Sequence, residues 1–173
     1  MPIQDTLQGI ARKEYGPRYR DHVLDVYKTY VDMADRISSR RESTNSFFLT
    51  VNTAILGLLG FLAQAAGLPP GRTALLPVAL AGVVIALLWR RILLSYRELN
   101  SAKYQVVHQL EASLPLRPYD AEWQALGRGK DPARYVPLTN VEGRVPWIFA
   151  GLHAAVALWA IPWDKILCLF GAA

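Results

Sequence analysis

Between Phe47 and Trp89 the chain carries two long runs without a charge, and this pair constrains its fold more than any other feature. The first run, Phe47 to Ala66 (FFLTVNTAILGLLGFLAQAA), has 20 residues. As a helix it would be about 30 Å long, the thickness of a bilayer's hydrocarbon core. The second, Thr73 to Trp89 (TALLPVALAGVVIALLW), has 17. Only Gly67 to Arg72 (GLPPGR) separates them, which is room for a tight turn and nothing more. The sequence predicts a transmembrane helical hairpin. Two core helices of a soluble protein are the alternative, but core helices seldom run this long without a charge.

The flanks extend both helices. Val23, Tyr27, Tyr30, Ala34 and Ile37 follow a 4, 3, 4, 3 spacing, a coiled-coil-like seam, and nothing from Asp21 to Phe47 breaks a helix. One helix from near Asp21 to Ala66 is expected. After Trp89, Leu99, Ala102, Val106 and Leu110 keep helical spacing, so the second helix is expected as one continuous element from near Pro77 to Leu114. The organisation predicted is a flexible N-terminus at 1–20 and a long hairpin at 21–114. Its membrane part is about 47–89 and its stalk 21–46 and 90–114. A cap follows at 115–145, where Pro115, Pro118, Pro132 and Pro137 punctuate the chain. Within it Asp120 to Leu126 reads as a short helix with Asp120 as N-cap and Gly127 as stop, anchored by Tyr119, Trp123 and Tyr135. Residues 146–173 hold a third apolar helix and tail. The run Trp147 to Trp163 begins after Pro146 and has Trp at both ends, as an interfacial girdle would. A third span is expected there, with a helix packed on the hairpin as the alternative, because the run is short and contains His153.

Charge sets the topology. Arg36, Arg40 and Arg41 precede the first run, Arg90, Arg91, Arg97 and Lys103 follow the second, and the hairpin tip has only Arg72. The positive-inside rule then puts the N-terminus and residues 92–145 of this multi-pass protein in the cytoplasm and the hairpin tip outside. The net charge of +5 and pI near 9.5 come from basic residues crowded at the membrane boundaries, so anionic lipid, not nucleic acid, is the expected counterpart. Arg40, Arg41, Arg90 and Arg91 form a candidate collar for it. The mean hydropathy of +0.15 shows that the membrane part is diluted by polar regions. The N-terminus has no basic stretch leading into an apolar core, so no cleaved signal is expected.

The most informative pattern lies on the first apolar helix. Ser39, Ser43, Ser46, Thr50, Thr53, Gly57, Gly60 and Gln64 recur at 4, 3, 4, 3, 4, 3, 4, an unbroken small-or-polar stripe. Small residues let helix backbones approach and hydroxyls bond across, so the stripe predicts a close contact. It is a subunit interface, a pore lining, or packing against the small face Ala79, Gly82 and Ala86 of the second helix. Asn45 and Asn52, seven residues apart beside the stripe, each need a partner in an apolar setting, which makes interhelical glue a better reading than an ion site. No catalytic set is visible. His22, His108 and His153 are far apart in sequence, Cys168 is alone, and Gly127-Arg128-Gly129-Lys130 fits no phosphate loop. No enzyme activity, cofactor or metal is expected.

The runs DVYKTYVDMADRISSRRESTNSFFLTVNTAILGLLG (Asp25 to Gly60), VVHQLEASLPLRPYDAEW (Val106 to Trp123) and YVPLTNVEGRVPWIF (Tyr135 to Phe149) resemble the RipA-type octameric membrane protein family of bacteria. The resemblance covers roughly residues 20–165 and implies a homo-octamer in the bacterial inner (cytoplasmic) membrane, with no established enzymatic activity. The patch ADRISSRRESTNSFF also resembles the two-helix membrane effectors of nucleotide-signalling defence systems, but no nucleotide-sensing domain accompanies it. The expectation is an all-α membrane protein that partners itself and lipids. Its role would be an oligomeric envelope scaffold, or alternatively a pore.

Overall fold

The computed structural model describes residues 9–65, 70–137 and 141–169, together with Leu7 and Gly171. The turn expected at 67–69 lies outside them, as do residues 1–6 and 8 of the N-terminal stretch and 138–140 of the proline-rich segment. The described residues contain helices and turns but no strand. In order they are α1 (Arg12–Tyr15), α2 (Tyr19–Ala65), a 3-10 turn (Pro70–Leu75), α3 (Leu76–Glu111), α4 (Pro118–Ala125), a second 3-10 turn (Gly127–Gly129), α5 (Val145–Ala160) and α6 (Trp163–Leu169). Gly16, at φ 94°, and Pro17 end α1, and from Tyr19 nothing interrupts α2 for 47 residues. Pro77 stands in the first turn of α3, where its missing N–H has no intrahelical role.

The chain divides into two compact units. One comprises residues 1–42 and 94–140, the other 43–93 and 141–173.

In the first unit, the N-terminal part of α2 pairs antiparallel with the C-terminal part of α3. Tyr27 reaches Glu111, and Lys103 lies over the Tyr30 ring at 5.2 Å. The seam predicted on α2 faces inward, with Ala34 and Ile37 buried and Val23, Tyr27 and Tyr30 half-buried. Of the residues at helical spacing on α3, Leu110 is buried and Val106 half-buried, whereas Leu99 and Ala102 are exposed; Val107 and Glu111 complete the buried side, with Asn100, Lys103 and Tyr104 half-buried. The start of α4 is also corrected. Pro118 sits in its first turn and Asp120 is not the cap, because the first-turn N–H groups of Tyr119 and Asp120 are taken by Glu111. Gly127 stops this segment at φ 66°. Trp123 packs edge-on to Tyr135 and lies over the backbone of Gly129.

In the second unit, α2 from Ser43 and α3 up to Leu93 run antiparallel. Trp89 Nε1 donates to Asn45 Oδ1 at 3.1 Å near one end. Leu59, Leu75 and Ala79 share a core with Ala157 and Ala160 of α5 near the other. The third apolar run is not one helix to Trp163: α5 closes at Ala160, and the extended Ile161 and Pro162 break it from the seven-residue α6. At 16 residues α5 is about 24 Å long, shorter than a hydrocarbon core.

This unit carries its large apolar side chains outward. Phe47, Phe61, Leu80, Val84, Leu88, Ile148 and Leu158 are all more than half exposed. Of the most apolar window of α2 only 11% is buried, and of that of α3 28%. Core helices of a soluble protein would be mostly buried, so that alternative fails and the apolar surface is one for lipid or for other protein chains.

Candidate functional site

Three side chains lock the second unit together. His153 of α5 is fully buried, and its Nε2 lies 3.2 Å from Oδ1 of Asn52 on α2, also fully buried. Asn52 Nδ2 donates to the Phe48 carbonyl at 2.8 Å, which fixes the amide with its oxygen toward the imidazole. The imidazole must therefore carry its proton on Nε2. Gly82 of α3 completes the arrangement, because a Cβ there would fall within the His153 ring. Beside them Trp89 is buried, stacked on Phe48 and tilted against Phe149, with its N–H held by Asn45. Both asparagines thus meet partners on other helices.

The small-or-polar stripe lies elsewhere. Ser43, Ser46, Thr50, Thr53, Gly57, Gly60 and Gln64 are all exposed on the single chain. By helix geometry they lie about a third of a turn around α2 from Asn45, Asn52, Leu56 and Leu59, which pack inward. A Cβ added at Gly57 or Gly60 would meet nothing within 4 Å. Packing of the stripe against Ala79, Gly82 and Ala86 is therefore not what the fold does. Those small residues are buried, with Gly82 against His153 and Ala79 in the core with α5. Thr50 returns its hydroxyl to the Ser46 carbonyl at 2.9 Å, which lets it sit on an apolar face without an outside partner.

Sequence reasoning missed Glu111. Its side chain is fully buried in the first unit. Oε1 accepts from the Tyr27 hydroxyl and the Tyr119 N–H, both at 3.0 Å, and Oε2 accepts from the Asp120 N–H at 3.2 Å. A carboxyl group from α3 thereby caps α4 in place of a local side chain. The signal was the last acidic residue before a proline-punctuated segment, which by itself does not separate a cap from a solvated charge. Burial, and then the bond to Glu111, push the Tyr27 hydroxyl up to about 12. Burial also raises Tyr104 and Tyr119.

The four collar arginines divide between the units. Arg40 is exposed and Arg41 half-buried in the first; in the second Arg91 is exposed, and Arg90 lies 4.9 Å over the Trp147 ring. Among the described residues no three His, Cys, Asp or Glu side chains gather as a metal site would need. A family profile, that of the octameric membrane protein family (8xMP), matches residues 24–162. No curated protein and no solved structure matches the chain.

Proposed function

The chain belongs to the octameric membrane protein family, and from that premise we propose that it is a non-enzymatic scaffold of the bacterial inner membrane, built by self-association along the α2 stripe. The carrying observation is that an unbroken run of small residues, Ser43 to Gln64, is left outside the fold of the single chain. Small residues on a lipid-facing surface gain nothing from lipid, whereas they let a neighbouring helix approach closely. The larger Phe47, Leu58 and Phe61 border the stripe and would frame such a contact. Arg40 and Arg91, both exposed, would hold anionic lipid at about 1 kcal/mol each. A pore is the second reading, favoured by one observation: the stripe presents Thr50, Thr53 and Gln64 outward, where an assembly would be able to turn them to a central axis.

Native mass spectrometry of the protein in mild detergent tests the scaffold contact. Gly57→Leu and Gly60→Leu should give smaller assemblies with unchanged helix content, since a Cβ at either position meets nothing within 4 Å in its own chain. Ile55→Leu, off the stripe and conserving size, should leave the assembly whole. An intact assembly in both glycine variants would remove the stripe from the interface.

A further inference from the structure

The first unit contains a cavity of about 550 Å³, walled by α2, α3, α4 and the segment after it. The antiparallel pairing of Tyr27 with Glu111 and of Tyr30 with Lys103 sets the register of α2 against α3. Continuing it brings the turn holding Ser38 and Arg41 opposite the turn holding Arg97, Asn100 and Ser101, and all five line the cavity. Arg41 acts electrostatically on the Tyr104 hydroxyl, which lines the same space. Arg97 is exposed and makes no ion pair among the described residues, and Asn100 Oδ1 is buried without a hydrogen-bond partner there. Aromatic rings form the rest of the wall: Tyr104 and Tyr119, 5.7 Å apart, and Trp123 beside Tyr135. Glu122 is the one carboxyl group in the lining.

We propose that this cavity binds a phosphoryl group, clamped by Arg41 and Arg97 with Ser38, Ser101 and Asn100 beside them, and that the organic part of the ligand lies against the aromatic wall. Guanidinium groups and hydroxyls bring donors and positive charge together, which suits the three oxygens and the higher negative charge of a phosphate ester better than a carboxylate. Stacking against guanidinium and ring faces gives the remainder of the ligand its contact. Two sources fit this chemistry, a membrane phospholipid headgroup and a soluble phosphate ester. Arg41 lies six residues before the apolar run that starts at Phe47, which puts the clamp within reach of headgroups. The assignment does not depend on the scaffold reading.

The test uses the full-length oligomer, delipidated in mild detergent, with glycerol 3-phosphate and dihexanoyl phosphatidylglycerol as probes and dihexanoyl glycerol as the phosphate-free comparison. Binding is read by native mass spectrometry and by thermal shift. Saturable binding of a phosphorylated probe and none of dihexanoyl glycerol is expected. Arg97→Gln should weaken it about tenfold or more, as loss of one charge-assisted fork implies. Ser101→Leu, which fills the clamp from an exposed position, should do the same, while Lys28→Gln, exposed on α2 outside the cavity, should not. Glycerol 3-phosphate binding as tightly as the lipid would identify a soluble source, and a clear preference for the lipid a headgroup. Failure of both phosphorylated probes to saturate overturns the proposal. So does equal weakening by Lys28→Gln, which would reduce the effect to general surface charge.

Discussion

The Nε2 atom of His153 lies 3.2 Å from Oδ1 of Asn52, and neither side chain is exposed at all. The pair ties α5 to α2 through two buried polar groups, each of which needs a partner. Leaving one of two buried partners unsatisfied costs about 1–3 kcal/mol. Asn52→Leu and His153→Leu should each lower stability, and the double variant should cost less than their sum. The coupling expected is the roughly 0.6 kcal/mol, at most about 1.7, seen for polar pairs between membrane helices. Unfolding of the four proteins in detergent measures it. Strictly additive costs would show that the bond contributes nothing.

Gly82 is small because the imidazole needs its space. Gly82→Ala places a methyl group inside the His153 ring, so α5 must shift or detach. The single variant should therefore lose thermal stability, while Gly82→Ala combined with His153→Ala should recover part of it. No recovery would mean that the backbone of α3, not the ring, sets the limit.

The Tyr27–Glu111 bond gives the first unit an alkaline limit. The Tyr27 hydroxyl titrates at about 12 in the fold against 10.0 for a free tyrosine, from burial first and the bond to Glu111 second. A raised value means that the folded state holds this proton more tightly than the unfolded one. Its stabilising effect is complete below pH 10 and is lost as pH climbs toward 12. Melting temperature should fall through that window, and Tyr27→Phe should flatten the fall without abolishing it, since Tyr104 and Tyr119 are raised as well. An identical slope in wild type and Tyr27→Phe would detach the effect from this bond.

Length and charge-free composition made the two long helices legible in the sequence, and α2 and α3 start within two residues of where uninterrupted apolar and seam patterns place them. What the pattern could not supply was direction. A stripe of Ser, Thr and Gly looks the same whether it meets a neighbour in the chain or a neighbour outside it. Only the three-dimensional placement of α5, filling the small face at Gly82, shows that the stripe is left over. The burial of Glu111 was hidden for a related reason. Its carboxylate is held by Tyr27, 84 residues away, as well as by the backbone of Tyr119 and Asp120, and spacing along α3 does not reveal such a partner. The break in the third apolar run was readable in principle, since Ile161 precedes a proline and is thereby pushed to extended backbone.

Orientation rests on the arginines. With Arg36, Arg40, Arg41, Arg90, Arg91 and Arg97 beside the apolar runs and Arg72 alone at the tip, residues 1–45 and 92–145 are expected on the cytoplasmic side. Cys168 is exposed, so it is first replaced by serine. Cysteines placed singly at Gly71 and Asp131 are then probed in intact cells with a membrane-impermeant thiol reagent. Labelling at 71 and not at 131 is expected, and the reverse would invert the topology.

Scaffold and pore differ in what faces the assembly's axis. A conducting path needs polar groups on water, and selective channels concentrate charge or ordered carbonyls at a constriction. Asn52 is turned inward to His153 and contributes nothing to such a path. Thr50, Thr53 and Gln64 are the polar groups exposed on the stripe in the deeper part of α2, and none is charged. Thr50 already spends its hydroxyl on its own helix, which further lowers the polarity it shows outward. A wall this weakly polar should close on itself or on lipid. The oligomer reconstituted in liposomes is therefore expected to release neither potassium nor a trapped dye above the rate of empty vesicles. Thr53→Val and Gln64→Leu are the informative comparisons, since both alter the exposed stripe without touching the Asn52–His153 pair. Release by the wild-type protein that these substitutions abolish would place the stripe on a water-filled wall and replace the scaffold with a pore.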